Sequence, residues 1–213
     1  MSVVGRQINF TPAIFFLVVM NLLPVLGVFL FGWDTGTLLL LYWLESIVIG
    51  ILNIPKILSC QGDDENAAKQ PPSLGGKLFL CVFFSVHYGV FSFGHYTFLD
   101  AFFNSIPPLS DLIAEIISAQ GLAVSVIGLM VSHLFSMFRN FYGKAEYKMR
   151  SANTQMFIPY GRVFIMHIVI MFGGALVQAF GAPILALVLL VLLKTLIDIV
   201  SHSAEHNEFK LPS

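Results

Sequence analysis

Residues 37–58 read TLLLLYWLESIVIGILNIPKIL. The stretch holds one carboxylate, Glu45, near its middle and one ammonium, Lys56, near its end. A helix needs about 20 mostly apolar residues to cross a hydrocarbon layer of ~30 Å, and this stretch supplies them. Five others do the same, at 11–31, 78–99, 120–138, 160–181 and 183–203. Loop chemistry separates them: Gly32-Trp33-Asp34, Gln61 to Glu65, Pro71-Pro72-Ser73, Pro107-Pro108 and Gly181-Ala182-Pro183. Pro24 lies inside the first stretch, where apolar flanks favour a kink over a break. The expected fold is all-α. It is a polytopic membrane protein with a single domain over 1–213, a bundle of six transmembrane helices.

Composition supports this reading. The chain is 57% hydrophobic and 11% charged, with mean hydropathy +0.84. Soluble domains carry about 25% charged residues, so an ordinary soluble enzyme and a disordered tail are excluded. The net charge of −1 leaves no field to attract nucleic acid. Cys60 and Cys81 are too few for a disulfide framework. The first apolar run is too long for a cleavable signal and is expected to remain as a span.

The bases set the orientation. Arg6 precedes the first span, and Lys56, Lys69 and Lys77 surround the second loop. Arg139, Lys144, Lys148, Arg150 and Arg162 surround the fourth, and Lys210 lies in the tail. Loops one, three and five have none. Bases stay on the cytoplasmic side, so both termini are expected there, in a multi-pass cell inner-membrane protein. Apolar residues at Leu109, Leu112, Ile113, Ile116 and Ile117 predict an amphipathic helix over about 109–118 on the outer surface. The basic, aromatic loop 139–162, with Phe141, Tyr142 and Tyr147, is expected to meet anionic lipids of the bilayer.

Polar groups inside spans are costly and mark functional candidates. Glu45, Lys194 and Asp198 lie within spans, as do His87, His95, His133, His167 and His202, with His206 just beyond. Measured from span centres, His133 and Asp198 fall about two turns further inward than Glu45. His95 stands apart, nearer the outer face. Lys194, Asp198, Ser201, His202 and Glu205 share a stripe about 100° wide on the sixth span. Such a stripe faces other helices or a wet cavity. Lys194 and Asp198 are also one turn apart and can simply neutralise each other. Tyr42 neighbours Glu45, and Tyr160 shares a face with His167.

His202 and His206 have the one-turn spacing with which two imidazoles hold a metal ion. His87, His133 and His167 are the candidate further ligands. Glu45 and Glu205 are the candidate catalytic carboxylates, and Asp198, Lys194, Tyr42 and Arg162 are further buried polar groups. The favoured expectation is an intramembrane transition-metal site, zinc or iron, supporting hydrolysis of an unidentified small-molecule substrate. Non-covalent haem is the alternative cofactor. A proton- or ion-coupled transporter, or a structural subunit with a polar packing network, are the competing functions. Enzymatic activity and homo-oligomerisation stay open.

Tyr42-Trp43-Leu44-Glu45 resembles the Tyr-Trp-x-Glu block of an uncharacterised bacterial integral-membrane family. His87-Tyr88-Gly89, Pro159-Tyr160-Gly161-Arg162 with His167, and Leu193-Lys194-Thr195 with Asp198 and His202 resemble its other blocks. The resemblance implies a bacterial inner-membrane protein and no particular activity. His202-Ser203-Ala204-Glu205-His206 also resembles the His-x-x-Glu-His of inverzincin metalloproteases. Its two histidines match the terminal His-x3-His of ceramidase-type amidases. The Ser-x3-His of those amidases is absent: Phe83, Leu129 and Val163 precede His87, His133 and His167 at that spacing.

Overall fold

The computed structural model describes residues 30–62, 73–119 and 121–180, which are helical with no strand among them. The helices are α1 (Thr35–Ser59), α2 (Leu74–Phe102), α3 (Leu112–Ser118), α4 (Leu122–Ser136), α5 (Glu146–Met149), α6 (Ala152–Phe157) and α7 (Tyr160–Phe180). A π turn, Met137–Tyr142, continues α4. Four segments are long and apolar enough to cross a membrane: Thr35–Ser59, Leu74–Phe102, Leu122–Tyr142 and Ala152–Gly173. They correspond to the second to fifth expected spans. The sixth expected span, and all but the end of the first, lie outside the described residues.

Side-chain oxygens start the helices by accepting otherwise orphaned N–H groups. Asp34 Oδ1 accepts from Thr37 N at 2.8 Å, Ser73 Oγ from Gly76 N at 3.3 Å and Ser151 Oγ from Thr154 N at 3.1 Å. Around the expected amphipathic segment, Leu109–Asp111 form turns and only Leu112–Ser118 is helical. There Leu112 is buried and Ile116 packs against the core, while Ile113 and Ile117 are exposed.

Hydrogen bonds fix how the spans run. On α1 and α2, Trp43 Nε1 donates to Ser92 O, Tyr88 OH to Ser46 O, and Lys77 Nζ to Leu58 O and Cys60 O. Residue numbers rise on one helix as they fall on the other, so the pair is antiparallel. The contacts Glu45–Arg162 and Asn53–Gln155 make α6–α7 antiparallel to α1. Glu45–His133 and Ser59–Tyr142 make α4 parallel to it. This alternation is what successive membrane crossings require.

α1 is the centre. Leu38 to Ser46 are all buried, so the helix is enclosed on every side rather than along one stripe. Leu38 to Leu44 pack with Leu99, Phe103, Leu122, Val169 and Ile170. A second cluster gathers Ile57, Phe84, Tyr88, Phe141, Met156 and Val163 toward the other end. Phe79, Val82, Val86 and Val90 of α2 point outward and exposed, an apolar face suited to lipid and not to water.

The second-cluster end is closed by the 143–159 connection. Gln61 N donates to Tyr147 O at 2.7 Å and Gly62 N to Arg150 O at 3.1 Å. A Cβ on Gly62 would lie 2.4 Å from Met149 O, so only glycine lets the two backbones approach this closely. Cys60 is enclosed there, and burial pushes its thiol up to about 11 against the lowering pull of Arg150 and Lys77.

Gly50 permits the α1–α2 contact. A Cβ there would lie 2.6 Å from Tyr88 Cε1, and Tyr88 is held by its bond to Ser46 O. Gly50→Ala is predicted to lower stability by about 1–3 kcal/mol, read as a drop in detergent Tm. Gly89→Ala, whose Cβ meets nothing within 4 Å, should leave Tm unchanged or slightly raised. Equal behaviour of the two variants would contradict this packing.

Candidate functional site

Glu45 lies on the most enclosed helix, ten residues from Thr35, which is about 15 Å along the axis. It is 5% exposed. An isolated carboxylate at that depth is untenable, and two other helices supply donors. His133 Nε2 of α4 lies 3.1 Å from Glu45 Oε1, and Arg162 Nη1 of α7 lies 3.0 Å from the same oxygen. Both partners are more accessible than the carboxylate, at 25% and 35% of their side chains. One oxygen therefore joins a permanent cation and a titratable imidazole, each from a different helix.

Two further histidine contacts bridge α2 and α7. His87 Nδ1 lies 2.8 Å from Tyr160 OH, with the imidazole between the rings of Phe83 and Phe91. Eight residues along α2 and seven along α7, His95 Nε2 lies 3.4 Å from His167 Nδ1. The nearly equal steps show that these helices run parallel. A third polar group sits toward the 143–159 connection. Gln155 Nε2 donates to Asn53 Oδ1 at 2.6 Å, Asn53 Nδ2 donates to Gln155 O, and Arg150 Nη1 donates to Gln155 Oε1.

Several expectations are corrected. His87, His133 and His167 do not converge; each goes to a different partner, Tyr160, Glu45 and His95 respectively. Among the described residues no three of His, Cys, Asp and Glu are grouped to hold a metal ion. His133 is not two turns further inward than Glu45 but beside it. The π turn extends that span to Tyr142, which moves its middle toward Ser132 and brings His133 to mid-depth. His95 does not stand apart, because the parallel packing of α2 on α7 brings it to His167. Arg162, expected both among the bases around the fourth loop and as a further buried polar group, reaches the central carboxylate. Tyr42 is buried one turn from Glu45 on α1. Lys194, Asp198, His202, Glu205 and His206 lie outside the described residues.

Gln155 was invisible beforehand. It is 2% exposed, yet it sits in a polar stretch where nothing in spacing separates it from Thr154 or Asn153. Tyr160 and His167 were legible as sharing a face, but not with which helix they would pair.

A family model described as "Family of unknown function (DUF6498)" matches residues 6–213, and the chain belongs to that family. No curated protein and no solved structure matches it.

Removing Arg162 takes away the permanent cation that offsets Glu45. Arg162→Met is predicted to cost about 3–5 kcal/mol. Glu45→Leu with Arg162→Met should cost far less than the two single changes added together. His133→Gln keeps an N–H donor and should cost less than Arg162→Met. Detergent Tm across the four variants checks this; strictly additive losses would contradict a direct Glu45–Arg162 interaction.

Proposed function

We propose that this family member is a six-span inner-membrane protein whose central carboxylate couples proton binding to the movement of a small anion. The six apolar stretches of the sequence and the one-sided placement of its bases support that topology. The observation that carries the chemistry is the sharing of Glu45 Oε1 between His133 and Arg162.

With Glu45 ionised, its charge offsets the guanidinium. His133 can take a proton from one aqueous side and pass it to that oxygen, since donor and acceptor are already 3.1 Å apart. Once Glu45 is protonated it no longer offsets Arg162. A positive charge within the span then favours an anion from one of the two aqueous sides. Release of that proton from Glu45 through His133 to the opposite aqueous side restores the Glu45–Arg162 attraction with His133 neutral, and expels the anion on that side. His87–Tyr160 and His95–His167 add exchangeable protons along α2 and α7, consistent with a relay through the same bundle. A purely structural network would also tie helices together. The proton reading is favoured by one of the two donors on that oxygen being a titratable imidazole, not a second permanent cation.

Reconstituted vesicles carrying a lumenal pH dye test this reading. With acid outside, a panel of small organic and inorganic anions is offered in turn. At least one anion should accelerate lumenal acidification in wild type. Glu45→Gln, which keeps the shape and removes the carboxylate, should reduce that acceleration at least tenfold. Anion-dependent acidification that survives Glu45→Gln, or none with any anion, would contradict the reading.

A further inference from the structure

Charge is divided between the two ends of the bundle. At the end formed by the α1–α2 connection and the 143–159 connection stand Lys56, Lys77, Arg139, Lys144, Lys148 and Arg150. Only Glu146 opposes them there among the described residues, and it lies 3.9 Å from Arg150. At the other end stand Asp34, Asp100, Asp111 and Glu115, with no Lys or Arg among the described residues.

The bases at the first end are not equivalent. Lys77 Nζ is engaged by the Leu58 and Cys60 carbonyls. Lys56 is half-buried over the ring of Phe141. Arg139, Lys144 and Lys148 are exposed. Large apolar side chains that face outward too flank them: Phe138 is 62% exposed and Met149 64%. Arg139 lies over the ring of Phe135, itself exposed, with its guanidinium carbon 5.7 Å from the ring centroid.

A dissolved anion would account for the cations and leave Phe138 and Met149 in water. A membrane surface accommodates both, with apolar side chains among acyl chains and cations at the headgroups. The position agrees, because these residues lie where a membrane-capable segment ends at Tyr142.

We propose that Arg139, Lys144 and Lys148, flanked by Phe138 and Met149, form a binding surface for the headgroups of anionic phospholipids. This surface is separate from the Glu45 site and does not depend on the proton chemistry proposed for it. It also differs from the aromatic contact expected of the loop, since Phe141 is buried and Tyr142 and Tyr147 pack beside it. The cations and the flanking Phe138 and Met149 make the surface, while the loop aromatics hold the connection against α1.

The test uses the full chain reconstituted in phosphatidylcholine bilayers containing a trace of spin-labelled lipid. Electron paramagnetic resonance separates lipid immobilised at the protein from bulk lipid. Spin-labelled phosphatidylglycerol should be several-fold enriched over spin-labelled phosphatidylcholine, and high salt should reduce the enrichment. Lys144→Gln and Lys148→Gln should each lower it by up to about fivefold, the equivalent of ~1 kcal/mol for a base near an anionic surface. Both positions are exposed, and an unchanged Tm checks that folding is intact. Equal association of the two lipids, or enrichment unchanged in the double variant, would overturn the proposal. So would calorimetric binding of inorganic pyrophosphate in neutral detergent that the double variant abolishes, since that would mark a site for a soluble anion.

Discussion

A carboxylate enclosed in the middle of a helix long and apolar enough to cross a membrane must be compensated from other helices, and the fold is arranged around that requirement. α1 is enclosed along Leu38 to Ser46, so Glu45 has no route to water along its own helix. Its charge is met only if α4 and α7 present His133 and Arg162 at one depth. That fixes the relative heights of three helices. The α1–α2 register is set independently, by Trp43 and Tyr88 donating to backbone carbonyls across the interface. With these anchors in place, His87 reaches Tyr160 and His95 reaches His167 without further adjustment.

Hydropathy made the second to fifth spans legible because insertion into hydrocarbon depends on total apolar length, which a sequence displays directly. Glu45 was legible for the opposite reason, as the one carboxylate in residues 37–58. Its partners were not. Helical periodicity says which residues share a face but not which helix that face meets. Depth counted from a span's centre is only as good as the span's ends. The π turn after Ser136 lengthens α4 without any hydropathy signal, and that displaced His133 in the sequence reading. Gln155 was hidden because its burial depends on the 143–159 connection folding back over α1, a tertiary event. The expected metal site drew on His202 and His206, outside the described residues, and on three histidines that go elsewhere.

The two ends of the bundle and its middle use charge differently. At the ends, the exposed charges of the described residues sort by sign, bases at one end and acids at the other. In the middle, opposite charges are brought together and held in low dielectric, where their separation is expensive. A proton is the smallest ligand able to alter that balance, and under the proposed function His133, 3.1 Å from Glu45 Oε1, delivers it. On that proposal the same residues serve stability and chemistry: the contact that sets helix height is the contact a proton would loosen.

Under the proposed function, Glu45 is an ionised group that takes up a proton within its His133–Arg162 setting. Infrared difference spectroscopy on protein labelled with carbon-13 at the glutamate carboxyls measures this directly, comparing neutral with acidic pH. Acidification should remove a carboxylate band and add a carboxylic acid band, both absent in Glu45→Gln and moved along the pH axis in His133→Gln. A spectrum in which Glu45→Gln removes no band from the difference would contradict it.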